Sequence, residues 1–176
     1  MNKILVTGGA GFIGSNLCQY LLADKKNSVI CLDNLSTGSK SNIEHLLSNK
    51  NFQFIERNVC EKINIKVNQI YNLACPASPI QYQRLPLETI NACIDGSRNL
   101  LELAKVNDAT ILQSSTSEVY GDPMEHPQNE SYFGNVNING PRSCYDEGKR
   151  MAETIFCNYR NIYNVDIRIA RIFNTY

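Results

Sequence analysis

The chain carries no excess of charge of either sign: 17 Lys and Arg stand against 17 Asp and Glu. A neutral balance lacks the electrostatic footprint of a nucleic-acid or anionic-membrane binder, so neither partner is expected. Histidine is scarce. The two present, His45 and His126, lie far apart with no cysteine or carboxylate at ligand spacing, and no metal site is expected. Nor does any apolar run approach the roughly 18 residues that span a bilayer. The N-terminus shows no leader architecture; Lys3-Ile4-Leu5-Val6 runs straight into glycines, so no secretory signal is expected. Cysteine is present, but the seven residues (Cys18, Cys31, Cys60, Cys75, Cys93, Cys144, Cys157) are odd in number and never form Cys-x-x-Cys. Most fall inside apolar segments, where a thiol acts as a small hydrophobe. The expectation is a soluble, cytoplasmic protein with reduced structural thiols, Cys144 beside Tyr145 included.

What is there reads as globular. Of 176 residues, 43% are hydrophobic and 19% charged, which fits one domain over residues 1–176. A chain of this length can bury about 70% of its unfolded surface. Short apolar runs alternate with helical spacing. Strands are expected at Ile4–Val6, Val29–Leu32, 52–55, 70–74, Thr110–Gln113 and Val165–Ile172. Helices are expected at Asn16–Ala23, 86–106 and 144–163. This succession predicts an α/β fold: a Rossmann-type, doubly wound parallel sheet with helices on both faces. Such sheets bind ligands beyond the carboxyl ends of their strands. The stretch 121–143 is long for a structureless loop and is expected to be functional.

Thr7-Gly8-Gly9-Ala10-Gly11-Phe12-Ile13-Gly14 follows the first strand and opens the first helix. Glycine there permits a tight turn and lets backbone amides approach a diphosphate, which a helix N-terminus also attracts. Asp33 ends the second strand, where a carboxylate accepts the ribose hydroxyls of an adenosine and repels a 2′-phosphate. NAD, rather than NADP, is the expected cofactor. Further along, Tyr145-Asp146-Glu147-Gly148-Lys149 sets a phenol and an ammonium at i and i+4 on one helix face. A free tyrosine titrates near 10, so a base working at neutrality needs a drop of roughly 3 units. Two cations, Lys149 and an oxidised nicotinamide, are expected to supply it.

A glycine turn, a strand ending in Ser114-Ser115-Thr116 and Tyr-x-x-x-Lys together resemble the extended, nucleotide-sugar-modifying branch of the short-chain dehydrogenases/reductases. Longer words narrow the likeness. Leu73-Ala74-Cys75-Pro76-Ala77-Ser78-Pro79, Ser115-Thr116-Ser117-Glu118-Val119-Tyr120-Gly121-Asp122-Pro123, Gly140-Pro141-Arg142-Ser143-Cys144-Tyr145-Asp146-Glu147-Gly148-Lys149-Arg150 and Ala170-Arg171-Ile172-Phe173-Asn174-Thr175-Tyr176 resemble the UDP-glucuronate decarboxylase (UDP-xylose synthase) family. The resemblance implies oxidation of UDP-glucuronate at C4, loss of CO2 from the 4-ketone and re-reduction. Tyr145 would be the base, Thr116 would bond the C4 oxygen, and Lys149 would hold the nicotinamide ribose. Ser117 or Glu118 would orient the C6 carboxylate or deliver the C5 proton, and the residues do not choose between them. Cofactor contacts would come from Gly8, Gly11, Phe12, Ile13, Gly14, Asp33, Asn34, Thr37, Asn58, Val59 and Leu73, besides Tyr145 and Lys149. Asn99, Asn174 and Thr175 would meet the substrate.

The resemblance also implies a homodimer paired through helices 86–106 and 144–163. Two positions depart from it: Asn58 stands where relatives commonly have Asp facing adenine, and Asn91 where they offer a lysine to the substrate diphosphate. Relatives continue beyond Tyr176, so the expectation is a chain truncated before its substrate-binding portion is complete. A 4-epimerase, a 4,6-dehydratase and a non-catalytic NAD-binding fragment stay open as alternatives.

Overall fold

The computed structural model of the chain describes residues 1–174. The apolar runs form six strands: β1 (Asn2–Thr7), β2 (Asn27–Asp33), β3 (Phe52–Glu56), β4 (Gln69–Asn72), β5 (Thr110–Thr116) and β6 (Ile167–Ile172). They make one sheet in the order β3-β2-β1-β4-β5-β6, with every neighbouring pair parallel.

A parallel sheet must be covered on both faces, and the alternation of side chains shows how. Ile4 and Val6 of β1, with Val29 and Cys31 of β2, pack on Cys18 and Leu17 of α1 (Phe12–Leu22). Their neighbours Leu5, Ile30 and Leu32 point the other way. They join Ile70, Ile111 and Ile167 against Leu100, Leu101 and Ala104 of α4 (Ser97–Asn107) and Phe156 of α5 (Ser143–Tyr163). This is the Rossmann arrangement. The strand order reverses between β1 and β4, which opens a crevice at their carboxyl ends.

Local chemistry sets the element ends. The caps after α4 and α5 are Asp108 and Asn164, at φ +50° and +56°, and Asn and Asp tolerate the left-handed conformation best after glycine. Between Pro76 and Pro86 a short helix, α2 (Pro79–Arg84), forms where none was expected. Pro79 occupies its first turn and the Ser78 hydroxyl accepts the Gln81 N–H, a strong start signal compressed into six residues.

The expected helix 86–106 is continuous but not uniform. It comprises α3 (Pro86–Asn91), a π-helical turn at Ala92–Gly96, and α4. At Gly96 a Cβ would stand 2.7 Å from the Val59 side chain, so the π turn lies against the loop that leaves β3. β4 stops at Asn72; Leu73 and Ala74, expected within the strand, turn across the end of β1. The 121–143 stretch contains no helix before Ser143, where α5 begins, and is tied by a bridge between Gly121 and Asn135.

Phe156 is fully buried between α4, α5 and the sheet. Phe156→Ala is expected to cost about 3–5 kcal/mol, read as a lower urea midpoint at an unchanged slope.

Candidate active site

The crevice is built first from backbone. Gly8 has φ +68°, and a Cβ there would come within 2.7 Å of the Leu73 carbonyl group. Gly14 is tighter: its Cβ would stand 2.2 Å from the Gly8 carbonyl oxygen. These two glycines let β1, the β4 turn and α1 close on one another. Gly11 caps α1 in an extended conformation, and no side chain bonds the helix N-terminus. Its first-turn amides therefore have no side-chain competitor, the condition under which a helix N-terminus can hold an anion.

Asp33, buried at the end of β2, accepts the Ala10 N–H at 2.9 Å through Oδ2 and the Leu35 N–H at 2.8 Å through Oδ1. It therefore both ties the following loop to the glycine turn and lines the cleft, each oxygen keeping a second lone pair. Asn34, Thr37, Asn58, Val59 and Leu73 line the same lobe. The Asn58 side-chain oxygen accepts the Cys60 N–H at 3.0 Å.

A second lobe, continuous with the first through Gly8, Gly11, Thr37, Leu73 and Cys75, is lined by Phe12, Ile13, Gly14, Thr116, Ser117, Glu118, Tyr145, Lys149 and Asn174. Tyr145 and Lys149 share the buried stripe of α5 with Ala152 and Phe156. Lys149 is 4% exposed and donates to the Ser114 carbonyl oxygen at 2.8 Å. Burial pushes its ammonium down, but Cys75, Cys93, Tyr145 and Glu153 lift it above its ordinary value.

Of the two cations expected to lower the Tyr145 phenol, the chain itself supplies one, Lys149. Burial raises its phenol above the usual value, and the opposing pull of Lys149 and Thr116 does not cancel that. The residues of the chain alone leave it protonated at neutrality.

At the end of β5, the Thr116 hydroxyl oxygen accepts the Glu118 N–H at 3.2 Å, starting the turn Ser117–Tyr120. That bond uses a lone pair, so the hydroxyl proton is available to an oxygen in the cleft. Behind it, Ser115 donates to Glu153, and Arg171 holds both Glu153 oxygens, at 3.0 and 2.8 Å. This carboxylate clamp joins β5, α5 and β6 directly beneath Thr116.

Three participants were not assigned from sequence. Arg142 lines the cleft and ion-pairs with Glu118. Tyr82 of α2 stacks on Tyr145 with centroids 4.8 Å apart and ring planes 7° apart. Cys75 faces both lobes. The α2 start signal would have placed Tyr82 near the strand ends; nothing in the spacing marked Arg142 or Cys75.

One expected substrate residue is not brought in. Asn99 turns away: its amide donates to the Val59 and Glu61 carbonyl oxygens at 3.1 and 3.2 Å and so clamps the loop after β3. Thr175 lies outside the described residues. Among the described residues, no helix is long and apolar enough to cross a membrane, and no cluster of three or more His, Cys, Asp or Glu could hold a metal.

A glycine turn, a carboxylate closing β2 and a buried Tyr–Lys pair in one cleft define a site of the short-chain dehydrogenase/reductase type. The family model described as GDP-mannose 4,6 dehydratase matches residues 5–176, and the chain belongs to that family. It is 56% identical over 174 residues to UDP-glucuronic acid decarboxylase 6 of Arabidopsis thaliana, covering 99% of this chain and 51% of that protein. UDP-glucuronic acid decarboxylase 1 of Danio rerio is 51% identical, with 99% and 41% covered. A crystal structure of UDP-glucuronic acid 4-epimerase from Bacillus cereus in complex with NAD superposes with a TM-score of 0.84 at 29% identity, over 99% of this chain and 57% of that one. The chain thus spans about half the length of the curated relatives it matches.

Asp146, beside Tyr145, is buried with its Oδ1 unpartnered among the described residues. Burial pushes its carboxyl up to about 6, against Arg142 and with Glu118, Glu147 and Asp122 adding. The fold therefore holds the proton more tightly than the unfolded chain does. That advantage is present at low pH and lost as pH rises from about 4 to about 6. Asp146→Asn is expected to raise the unfolding free energy relative to the parent progressively across that window, by up to about 2 kcal/mol above pH 7; calorimetry of both proteins at several pH values checks it.

Proposed function

We propose that the chain is the NAD-binding portion of a UDP-glucuronate decarboxylase, a carboxy-lyase that forms UDP-xylose through a 4-keto intermediate. The observation that carries this reading is the convergence of Thr116, Tyr145 and Lys149 with the Glu118–Arg142 ion pair in one cleft. Over 99% of its length the chain is 51–56% identical to relatives named as such decarboxylases.

The residues fit a dinucleotide. The glycine cradle would be filled by any Cβ at Gly8 or Gly14, the uncapped amides of α1 would hold the diphosphate, and the Asp33 carboxylate would accept from the adenosine ribose hydroxyls and repel a 2′-phosphate. Gly11, Phe12, Ile13, Asn34, Thr37, Asn58, Val59 and Leu73 complete the cofactor wall. When bound, NAD supplies a hydride acceptor at the start of the cycle and a hydride donor at its end.

The chain's own residues handle the protons. Tyr145 takes the C4 hydroxyl proton, and Thr116 donates to the C4 oxygen as charge builds there. The ketone then lies β to the C6 carboxylate, so CO2 leaves with its electron pair delocalised toward that oxygen. Glu118 or Ser117 returns a proton to C5, and Asn174 meets the substrate beyond β6. Because burial lifts Tyr145 and Lys149 draws it down, turnover rises with pH through the neutral range. Lys149→Met moves that limb to higher pH.

The same reading carries a homodimer paired through Pro86–Asn107 and α5, and a cytoplasmic setting suited to free thiols.

The test is to incubate UDP-glucuronate and NAD with the chain, alone and extended to the length of its relatives, and weigh the nucleotide sugar. CO2 and a pentose nucleotide are expected from the extended protein; a hexose epimer or a 4-keto-6-deoxy sugar would replace this reading with an epimerase or a dehydratase. Tyr145→Phe in that protein is expected to lower turnover by about 10²–10⁴ while leaving NAD affinity within about threefold, by titration calorimetry. Titrating the chain with both cofactors is expected to give tighter binding of NAD than of NADP, which reverses if Asp33 does not face the ribose.

A further inference from the structure

The cysteines were expected to be inert packing. Two of them are not placed that way. Cys75, in the turn after β4, lines both lobes of the cleft, and its Sγ lies 3.5 Å from the Sγ of Cys93 in the π turn before α4. The two are not bonded to one another, and Cys93 is buried. A disulfide needs about 2.05 Å between sulfurs, so closing the pair takes roughly 1.5 Å of relative movement.

Both supports can give that distance. Cys75 sits on a loop outside the regular elements, and Cys93 on a π turn rather than within α-helix. On the far side α5 presents Gly148, where even a Cβ would crowd the Cys93 Sγ at 3.2 Å. We propose that Cys75 is a modification site for hydroperoxides, open through the cleft, with Cys93 as the thiol that resolves it to a disulfide.

The electrostatics suit the two roles. The hydrogen bond from Cys93 draws the Cys75 thiol down to about 7, and the Lys149 ammonium adds to it against burial. Cys31, Cys60, Cys93 and Cys144 are all pushed upward instead. A thiolate is the reactive species, so attack belongs to Cys75 and the donor role to Cys93. In the first step the Cys75 thiolate attacks one peroxide oxygen; the S–O bond forms, the O–O bond breaks and hydroxide leaves. The sulfur loses two electrons and becomes a sulfenic acid. In the second, Cys93 gives up its proton and attacks that sulfur; the S–S bond forms, the S–O bond breaks and water departs.

The pair stands independently of the substrate reading. It touches the cofactor reading only through shielding, since a dinucleotide in the cleft covers Cys75. The chain is treated with hydrogen peroxide near neutral pH, quenched by alkylation, digested and mapped by mass spectrometry. A Cys75–Cys93 crosslink is expected to form about fivefold or more faster than oxidation at Cys60, Cys144 or Cys157. In Cys93→Ser, dimedone is expected to trap a sulfenic acid at Cys75. A map in which Cys75 stays reduced while other thiols oxidise, or pairs elsewhere, overturns the proposal. If the variant does not fold, the wild-type map alone decides. Saturating NAD is expected to slow the crosslink about fivefold or more. An unaltered rate with the same linkage would instead sink the cofactor reading and leave the thiol pair standing.

Discussion

Lys149 is an ammonium with almost no access to water, and the carboxyl ends of the strands are organised around it. Removing a cation from water costs several kcal/mol unless neighbours restore what hydration supplied. Here the Ser114 carbonyl accepts its proton, while Cys75, Cys93, Tyr145 and Glu153 stand in its field. Those neighbours come from the end of β5, the β4 turn, the π turn and α5. One buried charge therefore fixes the mutual position of four segments far apart in sequence, and any of them that moved would leave it uncompensated. The sheet supplies the frame that makes such a demand possible: α5 is pinned by Phe156 beneath and by the Glu153–Arg171 clamp to β6.

That arrangement explains why the phenol is not activated by its lysine alone. The same burial that concentrates the field of Lys149 also disfavours a phenolate, and the Cys75 and Cys93 thiols add to that. A dry site strengthens every interaction within it, favourable or not. Asp146, one residue along, shows the cost in plain form, as a buried carboxyl with one oxygen unpartnered among the described residues. Groups held in states the fold disfavours concentrate where chemistry needs them, and the start of α5 holds two in succession.

Much of this was legible beforehand, for physical reasons that differ by element. A parallel sheet buried on both faces writes itself as short apolar runs, and all six strands stand where those runs are. The Tyr145–Lys149 pair was readable because helical spacing alone puts i and i+4 on one face. What failed was whatever depended on a single side chain choosing between partners. Asn99 sits on the right helix, but its amide is consumed by two carbonyl groups of the loop after β3, and no pattern announces that choice. The π turn escaped because its extra residue leaves the apolar spacing on either side intact. Cys75 looked like core filler from its apolar neighbours, yet β4 ends two residues earlier than its hydrophobicity suggests, and the turn carries the thiol to the cleft.

The Glu118–Arg142 pair adds a constraint on the proposed reaction. A carboxylate engaged by a guanidinium is an acceptor, so Glu118 can carry a proton to C5 only once that engagement loosens. The substrate proposed here brings a carboxylate of its own, and Arg142, partly exposed at the cleft mouth, is free to exchange one carboxylate for another at little cost, because exposed pairs contribute about 1 kcal/mol or less. Arrival of a uronate would then release Glu118, and departure of CO2 would release Arg142. A neutral hexose offers no such exchange and would leave the pair closed. On the proposed reading, one guanidinium, Arg142, would both meet the acid and, where Glu118 is the donor, free it.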